Sequence, residues 1–154
     1  MCSGRLRDYK VYPISSYVAK LTGYDLCFDK RSIDGSGKAN IVPSKNTDSE
    51  IWGVIYEIRD TDLDKLDQGE KGYYRSNIVV LTKDGSTVKA WAYIAQENFI
   101  TKGLKPYMWY KRFLVEGARE HGLPEDYIGT LTVVDAVNDT NVSRDRGKRA
   151  LPCS

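Results

Sequence analysis

A β-hairpin signal in the middle of the chain sets the strongest limit on how this sequence can fold. Tyr73 to Thr82 and Thr87 to Ala95 are rich in β-branched and aromatic residues, and the short segment between them contains Asp84 followed by Gly85. An Asp-Gly pair between two such runs favours the tight turn of an antiparallel hairpin. The chain is therefore expected to have two paired strands near its centre.

Further strands are predicted on the N-terminal side of this hairpin. Tyr17 to Asp29 forms one extended stretch, and Ile51 to Ile58 combines β-branched and aromatic residues. The segment between them, Asp34 to Asn40, is predicted to be a loop, because its two glycines tolerate positive φ and interrupt a strand. The first two-thirds of the chain is thus expected to be rich in strands.

Two helices are predicted, one before the hairpin and one after it. Asp60 or Thr61 can cap a short helix that ends before Gly69. Pro106 to His121 has apolar residues at three- and four-residue steps, and Gly122 stops the pattern. This order of elements favours an α+β fold, built as a small mixed β-barrel or curled sheet with flanking helices.

The length and charge of the chain predict one domain and a polar tail. A chain of 154 residues with 41% hydrophobic content fits a single core, and we assign residues 1–134 to the domain and 135–154 to a poorly ordered tail. The tail holds the only basic cluster, which is Arg144, Arg146, Lys148 and Arg149. A net charge of +2 is too small to indicate nucleic acid. We interpret the cluster as a solvated tail, with a binding patch as the alternative.

The cysteines and the apolar runs bear on the compartment. Cys2, Cys27 and Cys153 are odd in number and lack the spacing of metal ligands, which favours a reduced state in which the fold needs no disulfide. The longest apolar runs are far shorter than a membrane span, and the N-terminus has no apolar signal core. We expect a cytoplasmic protein without a membrane partner.

Several common catalytic arrangements are absent from the sequence. The segment around Lys38 is similar to a phosphate-binding loop, but Ala39 follows the lysine where Ser or Thr is needed, and Ser32 replaces the first glycine. His121 is the only histidine, and its place at a helix end fits a structural role. Neither a Ser-His-Asp triad nor a metal site can be assembled, so no metal is expected.

One carboxylate remains as a candidate for chemistry. Glu70 lies between two glycines, after the predicted short helix and before the strand that begins at Tyr73. The glycines leave the backbone free to direct the side chain into a cavity, which suits an acid–base group. A solvated loop carboxylate between Asp67 and Lys71 is the alternative, and the residue chemistry alone favours it.

The order of the motifs resembles that of the gamma-glutamylcyclotransferase-like family over about residues 5 to 131. The motifs that carry the resemblance are FDKRSIDGSGKANIVP (28–43), IWGVIYEI (51–58), LDKLDQGEKGYYR (63–75), AWAYIA (90–95), PYMWY (106–110) and EGAREHGLP (116–124). Each motif alone is a weak signal, and the agreement in order and spacing makes the resemblance specific. It implies a compact α+β fold around a mixed β-barrel.

The resemblance also implies an activity and a set of site residues. In the family, the glutamate of an LDxxEG-type motif acts as acid and base, and the matching residue is Glu70, although Lys71 stands where the family usually has glycine. The usual substrate is a γ-glutamyl compound, which cyclises to 5-oxoproline and releases an amine without a cofactor. The family's pocket tyrosines match Tyr74, Tyr93 and Tyr110, each of which could instead be a structural residue.

The sequence departs from the family at its N-terminus. Members begin with a strand and a Tyr-Gly-Ser-Asn type loop that binds the glutamyl end of the substrate, whereas Met1 to Leu6 is similar to the segment after that loop. The chain is thus expected to start about one strand late. Two alternatives stay open, a non-catalytic binding module on the same fold and a γ-glutamylamine cyclotransferase. A homodimer is a further expectation.

Overall fold

The predicted hairpin forms the long arm of a curled sheet in the computed structural model, which describes residues 2–151 and 153. Residues 1, 152 and 154, which include two positions of the expected tail, lie outside the described residues. In chain order, the elements are α1 (Gly4–Asp8), β1 (Ser15–Thr22), β2 (Tyr24–Arg31), β3 (Gly37–Pro43), β4 (Glu50–Glu57), α2 (Asp60–Gly69), β5 (Tyr73–Thr82), β6 (Thr87–Ala95), a 3-10 turn (Glu97–Phe99), α3 (Met108–Glu120), α4 (Glu125–Thr132) and α5 (Val142–Ala150).

The strands form two antiparallel sheets that face each other. The larger has the order β4-β1-β5-β6, and the smaller is the pair β2-β3. Strand β2 contacts the edge strand β4, and β3 contacts the other edge strand β6, so the two sheets together curl into a half-barrel. The predicted α+β class with a curled sheet is confirmed. The strand pairs themselves are antiparallel throughout the described residues, and the one parallel bridge, Tyr107 to Val137, lies outside the strands.

The hairpin and the long helix lie where the sequence predicts them, while three boundaries differ. The stretch Tyr17 to Asp29 is two strands, because Gly23 turns the chain between β1 and β2. The segment Asp34 to Asn40 is a loop only as far as Ser36, since β3 starts at Gly37 and pairs with β2. Helix α2 extends from Asp60 to Gly69, so it includes the glycine before which it was expected to end. Its N-cap is Arg59, whose side chain makes no capping hydrogen bond.

Helix α3 covers the half-barrel and carries much of the core. Its buried face presents Trp109, Phe113, Val115 and Ala118, at helical spacing. Val115 and Ala118 pack with Leu123, Ile128 and Leu131 around α4, against partly buried residues of β1, β2 and β4. Trp109 and Phe113 form a second cluster with Cys2 and Tyr107. The helix therefore joins the sheet on one side to the two ends of the chain on the other.

The C-terminal segment is folded, which contradicts the expectation of poor order. Asp139 is buried and accepts hydrogen bonds from the Arg144 guanidinium at 2.6 Å and from Trp109 Nε1 at 3.0 Å. Arg112 on α3 donates to the carbonyls of Lys148 and Leu151. Polar side chains hold this segment in place, so a polar composition does not distinguish it from a disordered tail. Helix α5 lies on α3 as a result.

The expectation about the cysteines is also wrong for two of them. Cys2 and Cys153 are joined by a disulfide across a sequence separation of 151 residues, and the Gly4 amide donates to the Cys153 carbonyl at 2.7 Å. Cys27 is free and half-buried. The bond brings α1 and the end of α5 together. Among the described residues, the helices are all too short or too polar to cross a membrane.

Candidate active site

Glu70 lies at the junction of α2 and β5, where the helix gives way to the sheet. Its amide donates to the Leu66 carbonyl at 2.9 Å, and its own carbonyl accepts from the Tyr73 amide at 3.1 Å. The side chain is half-buried, and the Tyr9 hydroxyl donates to Oε1 at 3.2 Å. Because this partner comes from the N-terminal segment, the carboxylate is held in position and is not the freely solvated loop group that the sequence alone favours.

The glycines on either side of Glu70 allow other side chains to approach it. A Cβ on Gly69 would overlap the ring of Tyr9, and a Cβ on Gly72 would lie 2.9 Å from the ring of Phe99 and 3.1 Å from Cε of Lys30. Gly72 also has a φ of 83°, in the left-handed region that glycine tolerates. The glycines therefore serve the packing around the carboxylate more than the freedom of its own backbone.

Glu70 faces a cavity of about 450 Å³, within the usual size range of small-molecule sites. Side chains from α1, β2, β3, β5, α3 and α5 line it, together with the loop that precedes β3. The cavity thus lies between two groups of elements. One is the sheet with the junction of α2 and β5, and the other is the pair of terminal helices, α1 and α5. Neither of two other cavities, of about 770 and 410 Å³, has Glu70 in its lining, and the second is the apolar interior of the half-barrel.

Lys30 supplies a buried positive charge to this cavity. Only 8% of it is exposed, and its Nζ lies 4.8 Å from the centre of the Tyr73 ring and 5.6 Å from that of Phe99. Within the described part of the chain, no carboxylate oxygen lies within 4.0 Å of the ammonium. Burial lowers the pKa of Lys30, and the negative charge of Glu70 partly offsets that shift.

Lys38 is a second cation of the cavity, but the protein already neutralises it. Its Nζ lies 2.8 Å from Asp34 Oδ2 and 2.8 Å from Ser36 Oγ, and 4.5 Å from the centre of the Trp109 ring. Burial lowers the pKa of Lys38, and the Asp34 carboxylate opposes the change. This lysine therefore fixes the loop before β3 instead of offering a free charge, and it does not act as the lysine of a phosphate-binding loop.

Of the three predicted pocket tyrosines, the fold brings only Tyr110 to the cavity of Glu70. Its hydroxyl accepts from the Ala39 amide at 3.1 Å, and burial raises its pKa to about 12. Tyr74 is 50% exposed and lies outside the lining. Tyr93 lines the apolar interior instead, and its hydroxyl donates to Asp67 Oδ1 at 2.7 Å. The geometry gives no support to Tyr74 and Tyr93 as contacts of a ligand beside Glu70.

Tyr73, the neighbour of Tyr74, takes the place that the sequence assigned to Tyr74. Successive residues of a strand point to opposite faces, so only one of the two can reach the cavity. The Tyr73 hydroxyl donates to the Ala39 carbonyl at 2.7 Å, and burial raises its pKa. Tyr73 and Tyr110 thus form hydrogen bonds with the carbonyl and the amide of Ala39, respectively, and together they fix β3 at the cavity wall.

Several residues of the cavity were missed by the sequence, namely Arg5, Tyr9, Lys30, Arg144 and Lys148. Lys30 lies in the motif at 28–43 without being singled out there, and the others belong to none of the motifs, because all five residues reach the cavity from segments that are distant from Glu70 in the chain. Tyr9 and Glu70 are 61 positions apart. The signal for Arg144 and Lys148 was present as the basic cluster of the tail, which the sequence interpretation assigned to solvent. The structure shows that half of this cluster lines the cavity, while Arg146 and Arg149 stay exposed.

The remaining candidate residues are structural. His121 ends α3 and donates from Nδ1 to the Gly117 carbonyl at 2.9 Å, while its Nε2 lies 3.2 Å from the Tyr56 hydroxyl. Cys2, Cys153 and Glu120 are the one group among the described residues with ligand atoms close enough to share a metal ion. The two sulfur atoms are bonded to each other, so they are not available as thiolates.

Known proteins match this chain in sequence and in fold. The model of the AIG2-like family matches residues 50–131. Gamma-glutamylcyclotransferases of Mus musculus and Homo sapiens are each 29% identical over 90 residues, which is 56% of this chain and 46% of theirs. The matched region thus spans about half the length of the curated relatives. A solved structure named gamma-glutamyl cyclotransferase has a TM-score of 0.76 at 24% identity, covering 92% of this chain and 89% of that one.

Proposed function

This chain belongs to the AIG2-like family, within the gamma-glutamylcyclotransferase-like group that its motifs predicted, and from that premise we propose that it cyclises a γ-glutamyl substrate. The family and the fold support a cyclotransferase type of function. The proposal adds the substrate class, the products and the residue that moves the proton. The products are 5-oxoproline and a free amine, and the reaction needs no cofactor.

The observation that carries the proposal is the position of Glu70. The cavity lining has two carboxylates, Asp34 and Glu70. Asp34 forms an ion pair with Lys38, whereas no cation of the described residues lies within 4.0 Å of the Glu70 carboxylate. A carboxylate with a free oxygen inside a cavity can accept a proton from a ligand and return it. The Tyr9 hydroxyl occupies Oε1 from one side, which leaves Oε2 as the proton-transfer atom in our proposal.

The reaction closes a five-membered ring within one molecule. The α-amino nitrogen of the γ-glutamyl group attacks its own side-chain carbonyl carbon, a C–N bond forms, and the amide bond to the departing amine breaks. Since the nucleophile and the electrophile belong to the same molecule, the protein mainly has to hold the substrate in its folded conformation. The aromatic rings of Tyr73 and Tyr110 provide a rigid wall for that purpose.

Glu70 handles the proton in both halves of the reaction. The carboxylate first takes a proton from the α-ammonium, which makes the nitrogen nucleophilic. It then delivers that proton to the nitrogen of the departing amine. The ring nitrogen loses a second proton as the amide bond breaks, and this proton passes to the same amine, which leaves as an ammonium while the carboxylate returns to its starting state. A positioned group of this kind typically contributes about 10²–10⁴-fold to the rate.

Lys30 is proposed to hold the α-carboxylate of the glutamyl group. The ammonium is buried and lies in the field of Glu70, and it has room for an anionic partner from the ligand. A charge-assisted hydrogen bond to a carboxylate would compensate the cost of burying the lysine. This assignment gives the glutamyl end a donor among the described residues of the cavity.

The test is the release of 5-oxoproline from several γ-glutamyl donors by the wild type and by Glu70→Gln. We expect the variant to lose about 10²–10⁴-fold in kcat/KM, because the amide cannot accept the proton. Asp64→Asn is the matched control, since Asp64 is an exposed carboxylate on the α2 helix that directly precedes Glu70. Full activity in Glu70→Gln would reject the mechanism. Activity confined to amine-linked donors would identify a γ-glutamylamine cyclotransferase, and no release from any donor would support a binding module.

A further inference from the structure

The cavity around Glu70 is more positive than the proposed reaction requires. Its cationic lining residues are Arg5, Lys30, Lys38, Lys71, Arg144 and Lys148, and its carboxylates are Asp34 and Glu70. A γ-glutamyl group brings one carboxylate and one ammonium of its own. An excess of one sign of charge in a cleft raises the local concentration of ligands of the opposite sign. The lining therefore favours a substrate with more than one negative charge.

Two of these cations are already neutralised by the protein. Lys38 is bonded to Asp34, and Arg144 donates from Nε and Nη2 to the two oxygens of Asp139, each at 2.6 Å. Their charges are matched within the fold, so a ligand gains little from them. Lys71 is exposed and screened by solvent. The charges available to a ligand are those of Arg5, Lys30 and Lys148.

Lys148 is the cation whose position is best explained by a ligand. It is half-buried on α5, with Nζ 5.8 Å from the centre of the Trp109 ring, and none of the ion pairs among the described residues includes it. The helix is held to α3 through hydrogen bonds from Arg112, one of which goes to the Lys148 carbonyl at 3.2 Å. The backbone of Lys148 is thus fixed, while its ammonium faces the cavity without a carboxylate partner among the described residues.

Arg5 is the second available cation on the terminal segments. Within the described part of the chain, its one ion pair is with Asp8 at 3.6 Å, and that carboxylate is half exposed. A surface pair at this distance is weak and does not neutralise the guanidinium in the cavity. Arg5 and Lys148 therefore add two positive charges from α1 and α5, whereas Lys30 belongs to the sheet and lies near Glu70.

We propose that the departing amine of the substrate carries a side-chain carboxylate, and that Lys148, supported by Arg5, selects it. The substrate class is then a γ-glutamyl compound of an acidic amino acid. This inference rests on the proposed function, because it assigns the other end of the same substrate. Lys30 holds the glutamyl carboxylate, and the terminal helices hold the anionic leaving group.

The matched pair of donors is γ-glutamyl-glutamate and γ-glutamyl-glutamine, which differ by one charge in nearly the same shape. We expect kcat/KM to be about tenfold higher for the glutamate compound, as for one charge-assisted hydrogen bond. Lys148→Glu should remove or reverse this preference, and Lys148→Gln should remove it. Arg146→Glu is the control, because Arg146 is exposed on the same helix and should leave the preference unchanged.

Binding of the same two compounds to Glu70→Gln, measured by calorimetry, separates the two proposals. Equal kcat/KM values with release of 5-oxoproline from both donors would overturn the charge selection and leave the proposed function standing. No release from either donor, with about tenfold tighter binding of the glutamate compound, would support the charge selection and reject the proposed function. Equal binding of both compounds would overturn the charge selection in either case.

Discussion

The cavity has two walls that are built in different ways. The wall with Glu70 comes from the junction of α2 and β5, where the consecutive residues 69–73 include the carboxylate, its two glycines and Tyr73. The other wall comes from α1 and α5, which are joined through Cys2 and Cys153 at opposite ends of the described chain. One wall is set by local structure and hydrogen-bonded strands, and the other by contacts between distant segments. Substitutions in the first wall should therefore change the proposed proton transfer, and substitutions in the second wall should change the proposed selection of an anionic leaving group.

The wall built from α1 and α5 is called the terminal wall below. Asp139→Asn is expected to have the largest effect of the variants considered, and it should weaken the terminal wall alone. The amide cannot form the two-oxygen ion pair with the Arg144 guanidinium, so α5 and its Lys148 lose one of their anchors. We expect the midpoint of thermal unfolding to fall by about 5 °C or more, and KM to rise about tenfold with a smaller change in kcat. Scanning calorimetry and steady-state kinetics measure the two effects.

The same residue gives the terminal wall a pH dependence. Hydrogen bonds from Arg144 hold the pKa of Asp139 well below its usual range. Since the pKa is lower in the folded state than in the unfolded state, the stabilisation is complete above the ordinary value and is lost as the pH falls toward the folded value. Asp139→Asn should lack this acid-dependent component. Asp64→Asn, at an exposed carboxylate of α2, is the control and should keep it.

A smaller effect is expected from Tyr9→Phe, which tests a hydrogen bond that connects the two walls at Glu70. Loss of the hydroxyl removes the bond to Glu70 Oε1 while the ring still packs on Gly69. We expect kcat/KM to fall about five- to tenfold, as for a single hydrogen bond to a charged group. Tyr12→Phe, which removes a hydroxyl from a tyrosine that is 66% exposed, should have no effect. An unchanged rate in Tyr9→Phe would show that Glu70 needs no second wall.

The smallest effect on activity is expected from Cys153→Ser. The bonds from Arg112 and Arg144 still hold α5 after the disulfide is lost, so kcat/KM should change by less than about threefold. Alkylation of the native protein followed by mass spectrometry checks the bond itself. Cys2 and Cys153 should react only after reduction, and Cys27 only after unfolding, because burial raises its pKa to about 12. Labelling of Cys2 without reductant would contradict the disulfide.

The two walls also differ in how far the sequence predicts them. The Asp84-Gly85 pair predicts the hairpin, and the apolar period predicts α3. Both predictions succeed because each signal is contained in a short stretch of sequence. The terminal wall depends on Asp139 meeting Arg144 and Trp109, and on one disulfide. Polar contacts of this kind leave no hydrophobic period in the sequence. The expected poor order of the tail was wrong for this reason.

The candidate site shows the same division. Glu70 was selected by its place between glycines and by the family motif, and the structure puts it in a cavity. The family resemblance pointed to Tyr74, whereas Tyr73 lines the cavity, because the curl of the sheet and not the local sequence decides which face of β5 points inward. Lys30 is an ordinary strand residue in the sequence, and its burial depends on packing against Tyr73 and Phe99, which are distant in the chain.

The contact between Gly69 and the Tyr9 ring has a consequence for how related sequences vary. A side chain at position 69 and an aromatic ring at position 9 cannot occupy the same space, so the two positions should change together. Relatives with alanine or a larger residue at the equivalent of Gly69 are expected to have a small residue at the equivalent of Tyr9. In such relatives, the carboxylate that corresponds to Glu70 would take its hydrogen bond from water or from the substrate itself.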